Sequence, residues 1–227
     1  KNRVYTLINV LGLSVGIACF IGIIAYTNNE LSYDKHHDDA ENIFRVKLIG
    51  EMSGTSFEAA VTGAPVGEIL YNDLPEVTLF TKFIQYPRSI LFDYNDKKIY
   101  QDGILYADSS FFDMFKFNVI GETEKALKEP YSLTMLESVA RKYFGDENPI
   151  GKIIKWDNKT DYTVRAIIKE PVKNTHLSFE VLVSRSSLYS DPRYESLFNS
   201  LFGFTNFNYI KSTNKNVTEM NAKINEV

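Results

Sequence analysis

Residues Val4–Asn29 form a run of 26 residues without a charged side chain, most of them apolar. No other feature limits the chain as strongly. At a helical rise of ~1.5 Å per residue the run is about 39 Å long, enough to cross a hydrocarbon core of ~30 Å with some tilt. Three readings compete for it. A cleaved leader would have a shorter apolar core, ~7–15 residues, ending at a small-x-small site. Here the apolar stretch is longer and ends Ile23-Ile24-Ala25-Tyr26-Thr27. A lipid-modified Cys19 would need an aliphatic residue three places before it and a polar linker after it. The sequence has Gly16-Ile17-Ala18 before it and Phe20-Ile21-Gly22-Ile23-Ile24 after it. A spanning helix over residues 1–29, with a short start on one side, is therefore the expectation.

Lys1 and Arg3 flank one end of the run, and Glu30, Asp34, Asp38 and Asp39 crowd the other. The excess of positive charge before the helix places the N-terminus in the cytoplasm and everything after about residue 30 outside. Residues 30–227 hold 23 basic and 29 acidic residues, a net charge of −6. That balance excludes nucleic acid as an expected partner, because phosphate neutralisation needs clustered Lys and Arg. Cys19 is the single cysteine, so no disulfide forms within the chain, and the count does not decide the compartment.

Within the apolar run, Gly12 and Gly16 are four apart, with Ser14 between them and Gly22 further on. Small residues let a second helix approach closely, although glycine is common in membrane helices in any case. Asn9 is the stronger signal. An amide in lipid is costly unless paired, so it is expected to face protein. Asn9, Gly12, Ser14 and Gly16 are thus the candidate residues for helix packing.

The rest reads as α+β. Leu31–Asn42 is polar and is expected as a helical extension or stalk. Ile43–Ile49 alternates, with Phe44, Val46 and Leu48 on one face, as in a half-buried strand. Pro65 opens a helix carrying Val66, Ile69, Leu70 and Leu74, and Pro75 stops it. Val77–Tyr86 reads as a strand. Ser89–Asp108 reads as a hairpin or meander turning at Asn95-Asp96. Thr134 and Glu137 suggest a capping box for a helix whose apolar face is Leu136, Val139, Ala140, Tyr143 and Phe144, ended by Gly145. Ile150–Trp156 and Tyr162–Ile168 read as a hairpin around Asp157–Asp161. Leu177–Val183 alternates as a strand, Phe204–Ile210 reads as a late strand, and Thr218 is expected to cap a helix with Met220, Ile224 and Val227. No stop signal ends that helix, and the chain is expected to be part of something longer.

Several chemistries are absent from the sequence. Gly151-Lys152 lacks the upstream glycine and the following Ser or Thr of a phosphate loop. There is no G-x-S-x-G, C-x-x-C or H-E-x-x-H. Asp34, His36, His37, Asp38 and Asp39 form the best metal-like cluster, but adjacent ligands rarely point to one site, and a solvated stalk is the plainer account. His176 is expected to lead into a strand. Asp113, beside Phe111, Phe112 and Met114, is expected to face solvent or cap a turn. Glu122 and Glu124 sit in a polar loop. Phe111, Phe112, Phe115 and Phe117 are expected to fill a core, with a ligand pocket or partner surface as the sharper alternative. No catalytic, cofactor-binding or metal-binding residue is assigned.

Three stretches carry a family resemblance. They are Ile8-Asn9-Val10-Leu11-Gly12-Leu13-Ser14-Val15-Gly16, then Glu30-Leu31-Ser32-Tyr33-Asp34, then Asn42-Ile43-Phe44-Arg45-Val46. A longer one, Glu137 to Lys152, joins A-x-x-x-F-G to P-I-G-K, and Tyr162-Thr163-Val164 through Ser178-Phe179 adds to it. Together they resemble bacterial MacB/FtsX-type ABC transporter permeases over nearly the whole chain. The resemblance implies an inner-membrane helix, a stalk at 30–42 and a periplasmic domain. That domain would have a porter-like strand–helix–strand part at 43–88 and 177–227, and an inserted, mostly β lobe at 89–176. It implies that a cytoplasmic ABC ATPase supplies the energy, that a second permease copy or paralogue pairs with this one, and that a periplasmic adaptor or substrate protein is moved outside. No residue here would be catalytic. A single-pass sensor with an extracytoplasmic ligand-binding domain is the competing account, and a membrane-tethered enzyme is a third.

Overall fold

Arg3–Glu30 form one α-helix, α1, in the computed structural model, which describes residues 3–52, 54–170, 174–190, 200–201 and 205–226. Every residue of α1 is exposed, and its apolar side chains lie on all sides. Tyr5 and Tyr26 stand about 32 Å apart along the axis, the spacing of the two interfacial aromatic belts of a membrane. The helix is long and apolar enough to span.

The chain divides into two units, residues 1–36 with 172–176, and residues 37–171 with 177–227. The second is built on one large mixed sheet. Its strands in chain order are β1 (Ile43–Arg45), β4 (Val77–Gln85), β5 (Ile90–Tyr94), β6 (Lys97–Gln101), β7 (Ile104–Ala107), β8 (Val119–Gly121), β9 (Ser132–Leu136), β10 (Ile153–Trp156), β11 (Thr160–Ile168), β12 (Val181–Ser184) and β13 (Phe207–Ser212). Across the sheet they run β1-β13-β4-β7-β12-β9-β11-β10-β5-β6, and β8 pairs with β11. β7 with β12 and β9 with β11 are parallel pairs, and the other pairs are antiparallel. β2 (Leu48–Met52) and β3 (Thr55–Ala59) form a separate hairpin. The helices are α2 (Val66–Asp73), α3 (Phe111–Met114), α4 (Thr123–Ala126), α5 (Glu137–Phe144), α6 (Ser186–Tyr189) and α7 (Val217–Ile224).

Two cores result. A small one joins α2 and α7 to β4 and β13 through Leu70, Leu74, Val77, Ile210 and Met220, with Val46 beside them. The large one takes in Phe83, Phe92, Phe111, Phe115, Leu133, Val139, Phe144, Val164 and Val183. Phe111 and Phe115 are within it, and Phe111 touches the rings of Phe83, Phe112, Phe115, Phe117 and Phe179 at centroid distances of 5.0–6.1 Å. Asp113 points to solvent.

The structure corrects several expectations. Leu31–Asn42 adds no α-helix; turns follow Glu30, and Ala40–Asn42 make one 3₁₀ turn. Ile43–Ile49 is two strands. β1 ends at Arg45, and the chain then leaves β13 to pair Leu48–Met52 with β3. Both pieces are half-buried, so alternation runs through the break unaltered. Thr134 caps nothing. It lies inside β9, whose five residues are all buried and so show no period-2 pattern to read. Leu136 ends that strand. The N-terminal amide of Ser138 in α5 donates instead to the Glu170 carboxylate at 3.1 Å, 32 residues away. Asn216, not Thr218, caps α7, accepting from the amides of Thr218 and Glu219 at 3.2 and 3.3 Å. The strand at Leu177–Val183 is confined to Val181–Ser184, although Leu177 and Phe179 are buried ahead of it. The last strand is Phe207–Ser212; Phe204 lies outside the described residues. Asn95 and Asp96 do turn the β5–β6 hairpin, both in the left-handed region at φ 50° and 64°, as a type I′ turn requires.

Phe111 has no exposed surface. Phe111→Ala is expected to cost about 3–5 kcal/mol in a urea unfolding series. Tyr100→Ala, on the exposed edge strand β6, is expected to stay within about 0.5 kcal/mol of the parent.

Candidate functional site at the helix junction

The metal-like cluster lies just after α1, and the structure gives its members separate partners. In the first unit, Asp34 adopts φ 58°, a left-handed conformation that Asp tolerates better than most residues. Its amide donates to the Asn174 carbonyl at 2.9 Å. Its carboxylate accepts from Thr175 Oγ1 at 2.8 Å, from the His176 amide at 3.1 Å, and meets His176 Nδ1 at 2.6 Å. Asn174 Nδ2 donates to Ser32 Oγ at 2.6 Å. Burial pushes the Asp34 carboxyl up, but the hydrogen bonds from His176 and Thr175 outweigh it and leave its pKa below the ordinary value. His176 therefore does more than lead into β12.

In the second unit, the His37 ring is buried beside Phe115 and Phe117, at centroid distances of 5.3 and 5.8 Å. Its Nδ1 accepts the Lys116 amide at 3.1 Å, which places any ring proton of the neutral form on Nε2. Lys116 Nζ holds both Asp38 oxygens at 2.8 and 2.9 Å. Lys211 Nζ lies 2.8 Å from Asp39, and that hydrogen bond holds the Asp39 carboxyl below its ordinary range. Glu41 pairs with Lys215. Among the described residues, no group of three or more His, Cys, Asp or Glu is placed to hold a metal. The junction is thus a series of fastenings. Its density of Asp and His was legible in sequence. The partners were not, because Lys116, Lys211 and Asn174–His176 lie tens to more than a hundred residues away.

A second polar group was missed altogether. Lys82 lies inside β4, Asp108 and Arg185 follow the neighbouring strands β7 and β12, and Lys82 and Arg185 are buried. Arg185 Nε lies 3.5 Å from Asp108 Oδ1 and donates to the Tyr189 hydroxyl at 3.2 Å. Lys82 Nζ donates to the Ala64 carbonyl at 3.1 Å. Burial raises the Asp108 pKa against the pull of Arg185 and Lys82, and burial lowers that of Lys82. The available signal was a lone Lys inside an apolar strand.

On α1, Asn9, Gly12 and Gly16 share one face, while Ser14 sits roughly 140° around from Asn9 at 100° per residue. A side chain added at Gly12 or Gly16 would meet nothing within 4 Å.

A model of the family described as MacB-like periplasmic core domain matches residues 6–226. The chain belongs to this family. A domain of a protein described as a permease from Porphyromonas gingivalis superposes with a TM-score of 0.69 at 21% identity, over 85% of this chain and 82% of that one. The periplasmic region of MacB from Actinobacillus actinomycetemcomitans gives 0.59 at 14% identity, over 82% and 81%. The extracellular domain of the noncanonic ABC-type transporter YknZ from Gram-positive bacteria gives 0.55 at 16%, over 80% and 88%. These structures share the fold. No curated protein matches the chain in sequence.

In this MacB-like domain the motif from Ala140 to Lys152 is a structural turn. Ala140, Tyr143 and Phe144 bury one face of α5. Gly145 and Gly151 take φ 62° and 84°. The Asn148 side chain accepts the Ile150 amide, and the Gly151 amide donates to Val164 at 2.7 Å. Lys152 pairs with Glu147 and lies over the Tyr94 and Phe144 rings at 5.5 and 5.7 Å.

His37→Ala removes the acceptor of the Lys116 amide and part of the packing against two rings. It is expected to cost on the order of 2–4 kcal/mol in urea unfolding, whereas Asp38→Asn, at an exposed pair, changes little. The Asp34 clamp has a defined acid limit. Its folded pKa lies below the ordinary 3.8, so its stabilisation is full above that value and is lost as pH falls through the lower folded one. Exchange protection of the His176 amide, which donates to the Asp34 carboxylate, is expected to be lost only below about pH 4, read by amide exchange across an acid series.

Proposed function

We propose that the chain is part of an ABC transporter permease subunit of the MacB/FtsX type, whose outer domain passes ATPase-driven motion to a substrate or partner outside the membrane. The observation that carries this is the span of the family match. It takes in α1 from residue 6 together with the outer domain, so the apolar helix belongs to the architecture. On this reading α1 crosses the bacterial inner membrane, with Lys1 and Arg3 in the cytoplasm and the sheet domain in the periplasm. ATP hydrolysis belongs to a separate cytoplasmic ABC ATPase. A second permease copy or paralogue packs on the α1 face of Asn9, Gly12 and Gly16, with Ser14 serving a neighbour on the opposite side. The segment 30–42 acts as the stalk. The porter-like part, 43–88 with 177–227, and the β-rich lobe, 89–176, are the two pieces that contact a periplasmic adaptor or substrate protein.

The reading is supported by the start of the second unit, where the segment that follows α1 in the chain is fastened to the sheet domain. His37, Asp38, Asp39 and Glu41 each hold a partner on α3's loop or near β13.

The test uses a cysteine in place of exposed Tyr100 and a membrane-impermeant maleimide on intact spheroplasts. Labelling without lysis is expected, with a rate that changes when the partner ATPase is blocked in its ATP-bound state. Protection until lysis would overturn the orientation. A rate insensitive to nucleotide but responsive to a small ligand would replace the permease with the sensor account. Gly16→Ile is expected to weaken co-purification with the permease partner about tenfold while leaving the outer domain's unfolding midpoint unchanged.

A further inference from the structure

We propose that Asn174–His176 is a second coupling element, clamped to the end of α1 by Asp34, so that motion of the helix reaches the sheet through β12 as well as through β1. This rests on the reading that the outer domain follows α1. Residues 174–176 lie in the connection between β11 and β12, yet they belong to the unit that contains α1. They are held there by the Asp34 amide and carboxylate and by Ser32, through Asn174 O, Asn174 Nδ2, Thr175 Oγ1 and the His176 amide and ring. Asp34 and Asn174 both adopt left-handed backbone, at φ 58° and 70°, so the contact is a formed turn pair and not a chance approach of side chains.

The chain then passes directly into the large core. Leu177 and Phe179 are buried in it. The amides of Glu180 and Val181 both donate to the Gly103 carbonyl, at 2.7 and 3.1 Å. β12 follows at once, buried at all four residues and flanked by β7 and β9. By contrast β1 has three residues and lies at the sheet edge. A pull delivered only through β1 would strip an edge strand, because edge pairing is lost one ladder at a time. A pull delivered through β12 acts on a strand paired on both sides inside the core, and moves the sheet as a body.

Amide hydrogen exchange on the whole chain in nanodiscs tests this. Asp34→Asn keeps a residue that tolerates the left-handed backbone but removes the charge. Thr175→Val removes one donor at nearly constant shape and guards against a variant that does not fold. Exchange is expected to speed up about tenfold in Asp34→Asn at residues 174–177 and, beyond the clamp, at the Glu180 and Val181 amides, with β9 and β11 unchanged. Thr175→Val is expected to show the same pattern at lower amplitude. A change confined to 174–177, or none, overturns the proposal by making the clamp local. The maleimide assay separates the two ideas. If Asp34→Asn keeps the full nucleotide response, the clamp does not couple. If the parent shows no nucleotide response while exchange still spreads to β12, the linkage stands and the permease reading fails.

Discussion

A helix that is apolar on every side and exposed along 28 residues needs lipid or other helices around it. That requirement divides the chain at Glu30. Before it lies a helix with no buried residue of its own. After it, stability comes from a sheet and two hydrophobic cores in water. Whatever joins the two must hold a polar, turn-rich segment in place without a core of its own. The junction does so with short-range chemistry. Asp34 gathers donors from Asn174–His176, His37 inserts between phenylalanine rings, and Asp38, Asp39 and Glu41 each take a lysine.

These fastenings differ in strength for a physical reason. The ion pairs of Asp38 and Glu41 are exposed on both partners, so solvent screens them and they guide more than they hold. His37 is buried and leaves an amide unpaired if it goes. The Asp34 cluster combines partial burial with several donors on one carboxylate, which is the arrangement that favours the charged form. Strength therefore sits at Asp34 and His37, and the lysine pairs of Asp38, Asp39 and Glu41 follow them in the chain.

The sheet ties distant parts of the chain together. Its strands form one continuous ladder from β1 to β6, and chain-distant strands are neighbours throughout its middle. β7 stands between β4 and β12 and shares backbone hydrogen bonds with both. Asp108 and Arg185 follow the ends of β7 and β12, beside Lys82 inside β4. Burial of charge there is tolerated because Arg185 lies beside Asp108 and Lys82 donates to the Ala64 carbonyl.

The sequence by itself determined the long apolar helix, the α+β class, the β5–β6 turn at Asn95-Asp96, the helix at Glu137–Phe144 and the family. Each of these is written in local chemistry: absence of charge over a long run, side-chain period, residues that tolerate left-handed backbone, and a contiguous motif. Beyond the β5–β6 and β10–β11 hairpins, only the tertiary structure decided which strands pair, that Ser132–Leu136 is a strand, that Glu170 caps α5, and that the acids after α1 are fastenings to Lys116, Lys211 and Asn174–His176. A fully buried strand has no alternation to read. A hydrogen bond across 142 residues has no spacing to read, because the fold creates the proximity and the sequence supplies only the donor and the acceptor.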